Sequence, residues 1–211
     1  MVEKYKLNKK DAIVKDGVKL YRIVSLIDIP KISIEVGSLG GYVSDENCLS
    51  HSGYSWIFDG AFVVKSKVLD NALVMEGSYV KEGCKIINSS MIGDCLIENG
   101  AVISGEACVH TRSNYEIEPI VITNRAIVSG NILINDKAEI LGGEVRVNSD
   151  RTFVIGDCCC LINAKIDKPS DLDIVRLCEK DGICECQYKD VNGIKRVVLS
   201  NAVGLLEINI D

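Results

Sequence analysis

The chain has 211 residues, 47% hydrophobic but only 5% aromatic, with a formal net charge of −6. That length and apolar content bury a sizeable core in one or two domains, while the acidic balance lacks the basic footprint of a general nucleic-acid binder. No apolar run approaches the roughly 20 residues that span a membrane, Met1 to Lys10 holds no apolar signal segment, and ten cysteines beside no export signal read as reduced thiols of a cytoplasmic protein.

Residues 1–36 read as a β-hairpin cap. Ile13-Val14-Lys15 and Val18-Lys19-Leu20-Tyr21 flank Asp16-Gly17, a pair that accepts the positive φ angles of a two-residue type I′ turn. Ile23 to Ile27 continues as strand, Pro30 breaks it, and Lys31 to Val36 alternates again. The rest of the N-terminal unit, to residue 56, is an entry segment. There Gly40-Gly41 is expected to turn the chain tightly onto the first coil, and Trp56 to plug the open end of the core.

From Ala61 to Val109 a longer rhythm takes over. Small or polar residues recur at Ala61, Lys67, Ala72, Ser78, Cys84, Ser90, Cys95, Ala101 and Ala107, with an aliphatic two positions after each. Those aliphatics are Val63, Leu69, Val74, Val80, Ile86, Ile92, Ile97, Ile103 and Val109, and the spacing runs 6, 5, 6, 6, 6, 5, 6, 6. Strands repeat about every two residues and helices about every 3.6, so neither produces this register. A hexad repeat is the sign of a β-solenoid, one short strand and one corner per hexad. Ala61, Ser78 and Cys95 lie 17 residues apart, one triangular coil with a trimmed corner. A narrow core filled by Val and Ile has no room for rings, in keeping with the low aromatic content.

The register breaks after Val109, and 110–120 reads as a loop excursion from a corner, ending at Pro119. Hexads resume at Ile122, Val128, Ile134 and Ile140, with Ala126 and Ala138 in small positions. They continue less regularly through Val147, Ile155, Ile162 and Ile166, with Gly142-Gly143 as a corner loop. The solenoid is expected over 57–168, about six coils, closed by Pro169. Residues 169–211 form a second, β-rich cap. Ser170 and Asp173 fit the capping box of a short helix ending at Gly182, while Asp181-Gly182 equally fits a hairpin; Asn192-Gly193 marks a further hairpin.

Leu20-Tyr21-Arg22-Ile23, Gly37-Ser38-Leu39-Gly40-Gly41-Tyr42-Val43 and Trp56-Ile57 leading into hexads resemble a group of bacterial and prophage hexapeptide-repeat proteins, often labelled acyltransferases. The resemblance covers about residues 18–110. It implies an all-β fold, a single-stranded left-handed parallel β-helix with β-rich caps, in a bacterial host. Left-handed coiling comes from the family alone, against the usual right-handed crossover preference. A homotrimer is also implied, with outward apolar residues such as Phe58, Phe62 and Leu73 as the expected subunit contact.

Acyltransferases of this class use a histidine as general base, with acyl-coenzyme A lying along the groove between subunits. Imidazole suits that task at neutral pH with little tuning. Of the two histidines, His110 opens the excursion beside Arg112, Asn114, Tyr115, Glu116 and Glu118; it is the base if the protein is a transferase, with Glu116 or Glu118 orienting it. The same five neighbours are the expected binding loop if it is not. His51, in the Leu49-Ser50-His51-Ser52-Gly53 turn, reads as a surface turn residue. The cysteines lack zinc-knuckle spacing: Cys158-Cys159-Cys160 are contiguous and Cys184-x-Cys186 has one intervening residue. A hairpin at Asp181-Gly182 sets Cys178 opposite Glu185, away from both, and Cys84 and Cys95 occupy small core positions, so no metal is expected.

Two functions remain. The first is a non-catalytic binding solenoid without cofactor, a phage or prophage accessory protein inhibiting host defence by binding a protein complex or sequestering a small signal molecule. The second is the acyl-coenzyme A-dependent O- or N-acyltransferase with His110 as base.

Overall fold

The computed structural model describes residues 2–88, 90–93, 95–105, 107–109, 120–130, 132–134 and 139–147, then strands 153–155, 160–168, 175–180, 183–190, 193–199 and 206–208; past Ile155 the description is of backbone register. β1 (Tyr5–Lys15) and β2 (Val18–Ser25) form the expected antiparallel hairpin, with Asp16 and Gly17 at φ +50° and +75°. β1 is an edge strand, and it carries Lys6, Lys9 and Lys10 and a register shift between Asn8 and Ala12. Charge and bulge together keep such an edge from recruiting another strand. β2 pairs antiparallel with β3 (Leu39–Val43), and β3 pairs parallel with β5 (Phe62–Val64). The hairpin therefore extends one wall of the solenoid.

Between β3 and β5, Leu49 bridges in parallel to Val68, and β4 (Trp56–Ile57) pairs in parallel with β7 (Leu73–Val74). The entry segment is thus itself an incomplete first coil. The first complete turn is β5, β6 (Lys67–Val68) and β7; the second is β8 (Tyr79–Lys81), β9 (Lys85–Ile86) and β10 (Met91–Ile92). The third is β11 (Cys95–Ile97), β12 (Val102–Ser104) and β13 (Cys108–Val109), the fourth β14 (Ile120–Thr123), β15 (Ile127–Gly130) and β16 (Ile132–Ile134). The fifth is β17 (Glu139–Val147), which runs over two walls, and β18 (Phe153–Ile155). The chain is an all-β parallel solenoid of about five turns, and β19 (Cys160–Lys168) starts a sixth on two walls.

Each wall stacks one inward residue per turn. Val43, Val63, Val80, Ile97, Ile122 and Ile140 line the first wall, and Ile57, Val74, Ile92, Val109, Ile134 and Ile155 the third, all fully buried. The second wall runs Leu49, Val68, Ile86, Ile103, Val128 and Val145. Two expected positions move. Val68, not Leu69, is inward, with Ser66 rather than Lys67 as the buried small residue, so the first short interval falls between Ala61 and Ser66. Val145, not Val147, occupies the ladder position in the fifth turn.

The corners onto the second wall are left-handed pairs: Glu82-Gly83 (φ +62°, +81°), Asn99-Gly100 (+54°, +75°) and Asn124-Arg125 (+55°, +59°). Glycine and asparagine tolerate that region best. Gly142 (φ +87°) marks the same bend inside continuous strand β17, in place of the expected corner loop. Gly40-Gly41 plays another part, because both lie inside β3 rather than at a turn. A Cβ on Gly40 would sit 2.5 Å from Ile23 Cγ1 and 2.6 Å from Ile57 O, and one on Gly41 2.5 Å from Ala61 O and 2.6 Å from Phe58 O. These glycines let β3 lie against the corner that follows β4. Trp56 is wholly buried but pairs with Leu73 on the outward ladder, so it lines the outside of the third wall and does not plug the hollow. It joins one cluster with Ile29 and Ile34, and Lys31 lies 4.4 Å over the Tyr54 ring, which brings segment 26–36 across this wall.

At the other end Pro169 follows β19 but does not end the sheet system. β20 (Val175–Lys180) continues the third wall parallel to β18, and then pairs antiparallel with β21 (Ile183–Asp190), which settles the hairpin over the helix. β21 pairs with β22 (Gly193–Leu199) with Asp190 opposite Gly193, so the connection is 191–192, one position before Asn192-Gly193. β23 (Leu206–Ile208) returns as a parallel strand on β19.

Two expectations follow for stability, both read by urea denaturation. Val68→Ala removes buried methyls and costs about 2 kcal/mol, while Leu69→Ala at its half-exposed site costs under about 1 kcal/mol. Gly41→Ala, with backbone oxygens in the way, costs upwards of about 3 kcal/mol, whereas Gly83→Ala meets nothing within 4 Å and costs about 1–2 kcal/mol for its positive φ.

Candidate functional site

The expected base and binding loop, His110, Arg112, Asn114, Tyr115, Glu116 and Glu118, lie outside the described residues. Their flanks are described: β13 ends at Val109 on the third wall and β14 begins at Ile120 on the first. The excursion therefore leaves and re-enters at the corner that earlier turns make with Asp59-Gly60 and Glu76-Gly77.

His51 is more engaged than a surface turn residue. Its turn is exposed at Ser52 and Gly53, yet its ring stacks on Tyr5 (centroids 4.6 Å, interplanar 16°), and its Nδ1 accepts the Lys4 backbone N–H at 3.1 Å. That bond leaves the imidazole proton on Nε2. The Tyr5 hydroxyl stands 2.5 Å from Glu46 O and 3.0 Å from Leu49 O, its single proton shared between the two carbonyls, and burial pushes it above the usual phenol range. Lys4 is fully buried, and its Nζ donates to Ser55 O (2.8 Å), Ser55 Oγ (2.9 Å) and Ser52 O (3.5 Å), with no carboxylate among its partners. Desolvation lowers this ammonium to about 8. Lys4, Tyr5 and His51 thus strap the N-terminus to the first coil. Lys4 and His51 are 47 residues apart, and no local pattern joins them.

Cys84 and Cys95 are part of the packing. Cys84 and Cys95 are buried at small-residue positions as expected; the Cys84 thiol faces Lys81 O (3.0 Å) and burial pushes it up to about 11, so it stays protonated at neutral pH. Cys158 and Cys159 lie outside the described residues, and the backbone register does set Cys178 opposite Glu185. Among the described residues no group of three or more His, Cys, Asp or Glu is placed to hold a metal ion. No described helix is long and apolar enough to cross a membrane.

What the sequence reading missed is the outer surface. In-register stacking repeats outward residues as strictly as inward ones, giving Tyr42, Phe62, Tyr79, Leu96 and Val121 on the first wall. The third wall shows Leu73, Met91, Cys108, Leu133 and Val154, and the second shows Lys67, Lys85, Val102 and Ile127. Of the residues expected at a subunit contact, Phe62 stands on the first wall, Leu73 on the third, and Phe58 at the corner between them.

The hairpin of β1 and β2 reaches over the first-wall column. Arg22 lies 4.7 Å over the Tyr42 ring, pairs with Asp11 (2.9 Å) and Asp59 (2.8 Å), and donates to Gly40 O (3.2 Å). Tyr42 donates to Asp11 (2.9 Å), and at the hairpin tip the Lys15 ammonium stands 4.5 Å from the Phe62 centroid and 5.0 Å from that of Tyr79. A signal for the column existed: Phe62 and Tyr79 are 17 residues apart, one coil.

Lys4 gives a pH prediction. Its folded value lies below its unfolded one, so between about pH 8 and 10.5 the unfolded chain holds the extra proton and stability rises with pH. Cys84 and Tyr5, both raised, oppose this above pH 9, so the difference between wild type and Lys4→Met isolates it. Chemical denaturation at pH 7.5 and 9.5 is expected to show a wild-type gain relative to Lys4→Met of about 1–2 kcal/mol; equal pH profiles refute it. No protein-family model matches the chain, and no curated protein matches it.

Proposed function

We propose that this chain is a non-catalytic binding protein, a rigid hexapeptide-repeat solenoid of the left-handed bacterial and prophage kind. It acts as a phage or prophage accessory factor in the host cytoplasm, inhibiting host defence by engaging a protein complex or sequestering a small signal molecule. Its recognition elements are the loop residues Arg112, Asn114, Tyr115, Glu116 and Glu118 together with the outward columns, and the assembly is a homotrimer.

The observation that carries this reading is the outer surface. A solenoid whose core is saturated by one aliphatic per wall and turn does not need its outward columns for the core, and here they are apolar and aromatic on two walls. Rigid repeats that display ordered surfaces are built for binding. The engagement of His51 and Cys84 in structural hydrogen bonds supports the same reading. The acyl-coenzyme A-dependent transferase, with His110 as base, rests on fold analogy, and one fold hosts many functions.

Thermal shift against acetyl-, succinyl- and plain coenzyme A separates the two. The binding reading expects an unchanged melting temperature with all three. A transferase at a hundred times its dissociation constant gains about 2.7 kcal/mol from the cofactor, and its rate falls at least about a hundredfold in a folded His110→Ala variant. That pair of results overturns the proposal.

A further inference from the structure

Phe62 and Tyr79 meet edge to face, with ring centroids 6.2 Å apart and planes at 75°. Tyr42 extends the column below, stacked on Phe62 at 6.0 Å and 16°. Into the angle between the first two rings comes a single cation, the Lys15 ammonium, within 5.0 Å of both centroids. Among the described residues it has no hydrogen bond and no carboxylate partner, so the ring faces alone hold it. Negative groups stand at the rim: Asp16 at the Tyr79 hydroxyl, and Glu82 nearby. Lys81 also approaches Tyr79, at 5.3 Å, but its ammonium is paired with Glu98 at 3.1 Å.

We propose that Phe62 and Tyr79 form an aromatic cage for a methylated ammonium head group, with Lys15 as its occupant in cis. The chemistry of the site selects that class. A primary ammonium between ring faces gives up water and finds no acceptor for its N–H groups, which is costly. A quaternary ammonium has no N–H to satisfy, is weakly hydrated, and keeps the full attraction of the ring quadrupoles. The occupant is also removable. Lys15 sits at the tip of the hairpin, next to the exposed Asp16-Gly17 turn, and a Cβ on Gly17 meets nothing within 4 Å. Arg22 and Asp11 anchor the hairpin further back, so lifting the tip need break only the Asp16 contact with the Tyr79 hydroxyl. The cage draws on none of residues 110–118, so its failure leaves the binding reading standing, and loss of that reading leaves the cage to be tested on its own.

The test is an NMR titration of the Phe62 and Tyr79 ring resonances with tetramethylammonium chloride against sodium chloride at equal ionic strength. Saturable shifts are expected in the full chain, and Lys15→Gln is expected to bind at least about tenfold tighter, since a tethered competitor has been removed. Lys15→Arg keeps a cation in the cage and is expected to bind like wild type. A trimethyllysine tripeptide run in parallel separates the sources: similar affinity marks a free metabolite head group, and affinity more than about tenfold higher marks a modified polypeptide. Absence of saturable shifts in folded Lys15→Gln, or shifts that persist in Phe62→Leu, overturns the cage. Should Lys15→Gln fail to melt cooperatively, the wild-type titration decides, and its lack of saturation overturns the proposal equally.

Discussion

In a parallel coil every residue lies directly over the one a turn earlier, because each backbone N–H reaches a carbonyl of the adjacent turn. Lys67 N donates to Cys84 O, Lys85 N to Ala101 O and Val102 N to Ala126 O, all at 2.9–3.0 Å. Strands held this way are about 4.8 Å apart, which leaves no freedom to pair a large residue with a small one. The core must therefore keep its side-chain volume similar turn after turn, and Val and Ile fill almost all of it without a ring. A change of turn length has to be absorbed at the corners, where left-handed pairs tolerate an added or missing residue without moving the ladder.

The same constraint makes the first coil the costly one, since the turn below it is missing. The chain answers with three devices of different chemistry. The hairpin continues the first wall by backbone pairing, segment 26–36 covers Trp56, and the Lys4–Tyr5–His51 strap ties the N-terminus to the loop before β4. The last two carry a cost. Trp56 Nε1 is buried with no hydrogen-bond partner among the described residues, and Lys4 carries a cation into a site of carbonyl and hydroxyl oxygens alone. An unsatisfied donor such as the Trp56 N–H costs about 1–3 kcal/mol, which the apolar burial of the cap must exceed.

What could be read from the sequence follows the range of the interactions. The hexad was legible because inward positions are local in spacing and uniform in chemistry. It slipped at Lys67 and Leu69 because an apolar residue next to the true inward Val68 imitates the pattern, and spacing alone does not say which corner is short. Gly40-Gly41 misled for another reason: glycine marks either a positive φ or a lack of room for Cβ, and only the packing of Ile23 and the carbonyls of Ile57, Phe58 and Ala61 tells which. The partners of His51, Lys4 and Lys15 come from the far side of the entry segment, beyond any local window.

Inside and outside obey one register but different selection. An inward Ile can become little else, whereas an outward residue is held to its column without being held to its chemistry. Where an outward column nevertheless shows one chemistry over consecutive turns, packing of the core does not explain it. Tyr42, Phe62 and Tyr79 are such a run, and the hairpin that crosses them is fixed by Arg22, whose guanidinium joins Tyr42, Asp11 and Asp59 at 14% side-chain exposure. Its partners Asp11 and Asp59 are 38% and 68% exposed, so the pairs add little energy; their part is geometric, setting the hairpin over the rings. The cap that closes the first coil thereby also delivers a cation to the outer wall, so closing the fold and presenting the surface are the work of one element.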